Sequence, residues 1–304
     1  MGEIEFVREP AGASARRAPL VRSRFHPPPG RFDGCFTTFY HLDLETRAGG
    51  QVEDYLQPEW ANIRFFAGAR PFAEIGSSRI DGPRFSATGP SSRPCRFRLG
   101  TSRMWGIGFL PVGWARFVEA EAYDLANVVC DGEAHPAFAR FAPLCETLCD
   151  PEASLDEQYA AILGWMDALM RSNRDEPKIV RVHEALVSGA CASVADIAEA
   201  SGMSIRTLER VCRRYFGFTP KLLMRRQRFM RSLSAFMLRD GSRWTEAMDG
   251  HYHDQAQFTR EFREFMTMNP SDYAALDHPI LSAFMEARAK AWGSAAQTLD
   301  RPAR

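Results

Sequence analysis

Two phrases of this 304-residue chain recur at an interval of 50 residues, and no other feature restricts the fold so tightly. Residues 208–213, LERVCR, align with residues 258–263, FTREFR, and Thr219-Pro220 falls on Asn269-Pro270. Each of the latter pairs is a capping residue followed by a proline, which opens a helix because proline pre-sets φ and needs no N–H partner there. Around the first copy, VADIAEASGMSIRTLERVCRRYF reads as helix, glycine turn, helix. In the helix-turn-helix unit the second helix of such a pair enters the DNA major groove. Ser193 and Ser204 are N-caps, and Gly202 and Gly217 end helices where a left-handed residue is required. One long helix from Pro220 to about Leu238 joins the two copies, so GFTP, residues 217–220, is the corner before it.

Residues 207–229 hold seven Arg or Lys and one acid, Glu209, although the whole chain is neutral. A solvated helix face would mix its signs. Leu208, Val211, Cys212 and Tyr215 lie three and four apart and pack inward, which leaves Arg206, Thr207, Glu209, Arg210, Arg213 and Arg214 outward. Arginine forks match guanine O6/N7 or phosphate oxygens. Residues 1–176 carry 19 Arg and Lys against 24 Asp and Glu, whereas residues 177–275 carry 15 against 11. The basic part is therefore the candidate for a polyanionic partner.

The front half follows a different period. Residues 1–30 are rich in breakers and expected to be mobile. From Gly34 to about Phe117, short runs rich in Phe, Trp, Thr and Val alternate with Gly, Pro, Ser and Asp, the pattern of antiparallel β structure. Residues 154–172 switch to helical spacing, with Ser154 and Glu157 as a capping box, and residues 173–177 read as a linker. The fold class expected is α+β in two domains. A β-rich regulatory or dimerisation domain covers 1–150, a connector 151–176, an all-α DNA-binding domain with two helix-turn-helix units 177–276, and a tail 277–304. No apolar run is long enough for a membrane span, and the N-terminus lacks an apolar signal region. A cytoplasmic protein with no membrane partner is expected. Seven cysteines, an odd number without secretory context, argue against a disulfide framework. Cys145 and Cys149 lack a second pair that would complete a zinc site, so no metal and no cofactor are expected.

Residues 178–275 resemble the DNA-binding domain of the AraC/XylS family of bacterial transcription regulators. Ile197, Ala198, Gly202, Ser204, Leu208, Arg210, Gly217 and Pro220 carry the first part of the family pattern. Tyr252, Asp254, Phe258, Arg260, Phe262, Pro270 and Tyr273 carry the second. The resemblance implies two units in successive major-groove segments. The first would present Arg206, Thr207, Glu209 and Arg210, and the second Gln255, Ala256, Gln257, Thr259 and Arg260. On the connecting helix, Arg225, Arg226 and Arg228 would touch phosphates or be solvated. One stretch departs from the pattern: His251 stands at the turn glycine, after Gly250, and Glu246 occupies an apolar position. The second unit's supporting helix is therefore expected to be poorly formed.

The front half resembles more loosely the cupin-like sensory domains of one branch of the family, through PEWANIRFF and GIGFLPVGWARFV. This implies a small-molecule effector or partner there, with Trp60, Arg64, Trp105 and Trp114 as pocket candidates beside the plainer reading of sheet-face aromatics. Cupin metal spacing is absent, since His26, His41 and His135 are scattered. The family further implies homodimerisation, through the apolar stripe of residues 154–172, and contact with RNA polymerase. The expectation is a sequence-specific regulator and not an enzyme. Two alternatives stay open: a DNA-repair-type enzyme with Cys95 as acceptor, and a protein-interaction module with a degenerate DNA-binding domain.

Overall fold

The computed structural model describes residues 4–8, 19–47, 49–238 and 243–302. Strands dominate the first part: β1 (Ile4–Arg8), β2 (Leu20–His26), β3 (Phe36–Glu45), β4 (Val52–Leu56), β5 (Ala61–Gly68), β6 (Phe72–Ile75), β7 (Ser78–Asp81), β8 (Phe85–Thr88), β9 (Cys95–Leu99), β10 (Ser102–Phe109) and, after helix α1 (Pro111–Phe117), β11 (Val129–Asp131). They form two antiparallel sheets, ordered β1-β2-β3-β10-β5-β8-β11 and β4-β9-β6-β7. β3 is buried on both sides along most of its length because both sides are covered. Phe39 joins the core beneath the connector helix, while Tyr40, Leu42 and Leu44 meet Val52 and Leu99 of the smaller sheet.

The expected mobility of residues 1–30 is corrected for part of that stretch. β2 pairs with β3 from Leu20 opposite Glu45 to His26 opposite Phe39, and buries Val21 and Phe25. Its alternation was masked by the proline cluster that follows. Residues 1–3 and 9–18 lie outside the described residues.

Two helices follow the sheets, α2 (Cys145–Leu148) and α3 (Leu155–Leu169). Ser154 and Glu157 form the expected capping box. The stripe of α3 faces the larger sheet, burying Ile162, Met166 and Gln158, whose Oε1 accepts from Trp105 Nε1 at 2.7 Å. The feature that motivated a homodimer is thus used within the chain.

The helical part comprises α4 (Glu176–Ser188), α5 (Val194–Ala200), α6 (Ile205–Val211), α7 (Pro220–Met237), α8 (Trp244–Ala247), α9 (Gln255–Met266), α10 (Pro270–Ala274) and α11 (Leu281–Trp292). Residues 173–177 are tied down on both sides. Asn173 Nδ2 donates to Ala115 O, Glu176 pairs with Arg116 at 2.7 Å, and Asp175 takes Lys178 at 2.6 Å and the Tyr215 hydroxyl at 3.1 Å. One apolar core runs from Phe32 through Ile179 and Leu208 to Leu223, joining the β part to the first helix-turn-helix unit. A second core gathers Phe229, Phe258, Phe262, Phe265 and Tyr273 with Leu281 and Met285 of the tail. Among the described residues, no helix is long and apolar enough to cross a membrane, and no cluster of His, Cys, Asp or Glu is placed to hold a metal ion.

Candidate nucleic-acid interface and effector cavity

The first unit is built as its caps dictate. Ser193 and Asp196 form a capping box for α5, Gly202 turns the chain at φ +65°, and Ser204 caps α6 through Thr207 N–H. Leu208, Val211 and Cys212 are fully buried, so the opposite face must be outward. Arg206, Glu209, Arg210, Arg213 and Arg214 are exposed and Thr207 is half-buried, its hydroxyl bonded to Ser204 Oγ at 3.0 Å. The helix then widens into a π turn over Cys212–Phe216 and stops at Gly217. At φ +82°, with a Cβ that would lie 3.0 Å from Pro90 and 3.1 Å from Ala122 O, position 217 admits only glycine without displacement. The corner GFTP is therefore also the place where this unit meets the β part. Arg213 lies over the Tyr123 ring at 5.0 Å, and Glu121 borders the same concavity as Arg206, Arg210 and Arg214.

The second unit is capped by Asp254, whose Oδ1 accepts from Gln257 N–H at 2.6 Å. Gln255, Ala256 and Arg260 are exposed, while Gln257 and Thr259 are half-buried. The family model described as "Helix-turn-helix domain" matches residues 197–275, which covers both units. The C-terminal part is an AraC-type helix-turn-helix domain. The chain carrying it is a DNA-binding transcription regulator. A search of curated proteins found no match. Solved structures with a loosely similar fold include ToxT from Vibrio cholerae, at 12% identity over 74% of this chain and 97% of that one, with a TM-score of 0.42. Another is ToxT from Vibrio cholerae O395 bound to (E)-4-(8-methylnaphthalen-1-yl)but-3-enoic acid, at 12% identity over 74% and 97% with a TM-score of 0.43. The AraC-like transcriptional activator CuxR matches at 16% identity over 73% and 84%, with a TM-score of 0.32.

Within the AraC-type domain, the arginines of the connecting helix do not stand where the sequence put them. Arg226 is fully buried, 4.0 Å from the Trp60 ring centroid, and donates to Ser91 O at 2.9 Å. Burial alone holds its pKa down, to about 9. Arg225 Nε and Arg228 Nη2 both reach Glu261 Oε1, at 2.9 and 2.6 Å, and Arg225 also pairs with Glu264. The Tyr252 hydroxyl donates to the other oxygen of Glu261 at 2.9 Å, and burial followed by Glu261 pushes that phenol up. A buried carboxylate thus gathers α7, α9 and the preceding turn, a design favoured because an unpaired buried charge is costly. Sequence reasoning passed over Glu261. The available signal was an acid on the same face of α9 as Phe258, Phe262 and Phe265. It also passed over Ile205, half-exposed at the first position of α6.

As expected, α8 is short, a single turn. The irregular turn after it is solved without a positive φ, however. Asp249 accepts from His251 N–H at 3.0 Å and pairs with Arg231 and the His251 ring, so neither Gly250 nor His251 adopts a left-handed backbone.

Of the four effector candidates, only Arg64 borders the cavity between the sheets. Trp60, Trp105 and Trp114 are core side chains. Trp60 packs against Arg226, Phe216 and His183, Trp105 is held by Gln158, and Trp114 Nε1 donates to Ala120 O at 2.9 Å. The cavity has a volume of about 100 Å³ and mostly apolar walls, among them Leu42, Phe66, Leu99 and Phe284. One polar corner is formed by Arg64, which reaches Glu59 at 2.7 Å, the Tyr40 hydroxyl at 3.0 Å and Thr88 Oγ1 at 3.3 Å. Cys95 also lines the cavity, with its thiol pushed up by burial to about 12. Burial opposes the thiolate that an acceptor cysteine would need, which disfavours the repair-enzyme reading.

Proposed function

We propose that this regulator reads its operator chiefly through the first unit, with Arg206 and Arg210 at base edges, and that a small molecule in the inter-sheet cavity controls it. The observation that carries the first half is the face of α6. Arg206 and Arg210 on that helix, and Arg213 and Arg214 in the π turn that continues it, are exposed and form no salt bridge among the described residues, whereas the connecting-helix arginines are engaged with Glu261, Glu264 and Trp60. In this reading Gln255, Ala256, Gln257, Thr259 and Arg260 make the second, weaker set of contacts, and Arg213 and Arg214 hold phosphates. The protein works in the bacterial cytoplasm, on DNA, with RNA polymerase as its downstream partner. It acts as a homodimer through a surface other than the α3 stripe, which packs within the chain.

The test is fluorescence anisotropy with random duplex and with fragments retained from the parent genome, between about 50 and 200 mM salt. Affinity for random DNA should fall steeply with salt, and one class of fragments should bind far more tightly. A flat salt response would favour the protein-interaction reading.

A further inference from the structure

The described part of the tail, residues 277–302, does not trail away from the DNA-binding domain but returns to the β part. Asp54 of β4, fully buried, accepts from Ile280 N–H at 2.9 Å and Leu281 N–H at 2.8 Å, capping α11 from another part of the fold. Its other oxygen meets His278 Nδ1 at 3.0 Å, while His278 Nε2 meets Tyr273 O at 3.1 Å. These bonds hold His278 at φ +43°, a backbone that a non-glycine residue keeps only under constraint. Phe284 is wedged edge-on between Phe25, at 5.3 Å, and Tyr40, at 5.1 Å, and together with Ile280, Leu281 and Met285 forms one wall of the cavity. Met230 of α7 adds to the same lining.

Size gives this wall its meaning. Ligand pockets run to about 300–1,000 Å³, and a dry cavity of about 150 Å³ takes a benzene. With the tail seated, the space here is about 100 Å³. A molecule of ordinary effector size cannot share it with Phe284 and Met285.

We propose that the tail is a lid on the effector cavity, that the Phe284 ring holds in cis the place of an aromatic, largely apolar ligand, and that ligand entry requires α11 to unseat. This rests on the effector reading given above and adds to it a route of regulation. The residues that α11 leaves are joined through Tyr273 and Met230 to the core of the second helix-turn-helix unit. A ligand that unseats the lid therefore alters the support of that unit, and DNA bound there biases the lid in return, since the coupling is reciprocal.

Cys95 is a native reporter of the lid. The full-length protein and Asp54→Asn are treated with N-ethylmaleimide, and labelling is followed by peptide mass spectrometry. Cys35 and Cys212, buried in the other core, serve as internal references. Asp54→Asn should speed Cys95 labelling at least tenfold while the references change less than twofold. Equal rates at Cys95 in the two proteins, or a rise at all three thiols together, would overturn the lid. As a second variant, Phe284→Ala should gain thermal stability in benzene-saturated buffer where the parent protein gains none. Absence of that gain would remove the assigned ligand class. Neither assay involves DNA. A chain that opens in this way yet shows no salt-dependent DNA binding would leave the lid standing and overturn the regulator's proposed mode of control.

Discussion

Arg225→Ala separates two roles for the connecting helix. If Arg225 touched a phosphate, its loss would release about one fewer counterion and flatten the slope of log K against log salt by about 0.9. The structure assigns it to Glu261 and Glu264 instead. Breaking a fully buried pair costs about 3–5 kcal/mol, but Arg225 is 29% exposed and Glu261 keeps Arg228 and Tyr252. Glu264 is half in solvent, so its share is at most about 1 kcal/mol. The expected cost is therefore about 1–2 kcal/mol of stability, a fall in Tm on the order of 1.5–3 °C for a chain of this size. The assay is a thermal melt together with a salt titration of DNA binding by the same variant. A lowered Tm with an unchanged slope is the expected pair of results. A slope flattened by about one, with Tm unmoved, would refute the bracing role.

Arg210→Ala should cost about 1–3 kcal/mol on the native operator and relax preference at one base pair, and Gln255→Ala should cost less. A costlier glutamine change in a binding titration would reverse the ranking of the two units. Gly217→Ala should destabilise the contact between the first unit and the β part, because φ is +82° and Pro90 and Ala122 crowd the new Cβ. Denaturant melts should show a loss of at least about 1 kcal/mol. Stability should also fall in acid as His41 and His183 charge. Burial holds both down to about 3, so between roughly pH 6.5 and 3 the unfolded chain binds protons that the folded one refuses. Each adds a slope of up to about 1.4 kcal/mol per pH unit, measurable by urea melts across that window, and His183→Phe should reduce the slope.

The sequence was most legible where the physics is local. Caps, glycine stops and the three-and-four spacing of Leu208, Val211 and Cys212 depend on residues a few positions apart, and the first unit is built accordingly. Strands from Gly34 onward were readable for the same reason. Charge on the connecting helix was not, because an arginine looks alike whether it meets a phosphate, Glu261 or the face of Trp60, and those partners lie tens to more than a hundred residues away. Aromatic residues were ambiguous in the same way: of the two readings open for Trp60, Trp105 and Trp114, the structure has the plainer one, with all three in the core, whereas aliphatic and Phe side chains are prominent in the cavity walls. The tail gave no local sign of its destination, since the cap that fixes α11 is Asp54, 226 residues from Ile280.

The long connecting helix acquires its purpose from these contacts. Its 18 residues span about 27 Å, a little less than the roughly 34 Å between successive major-groove segments on one face of DNA. A helix alone would set the separation of the two units but leave each free to rock about its end. Here its first turns are fixed to the β part through Arg226, Trp60 and the Gly217 corner. Its middle is clamped to α9 by Glu261, and Gln227 donates to Thr298 O of the tail. The first unit therefore moves with the β part. The second answers to Glu261 and to the tail, so displacement of the tail changes the support of one recognition helix while leaving the other in place. Control of this kind would act on the register of the second unit against the DNA more than on the first unit's hold, which makes the well-capped α6 the anchor and α9 the adjustable contact.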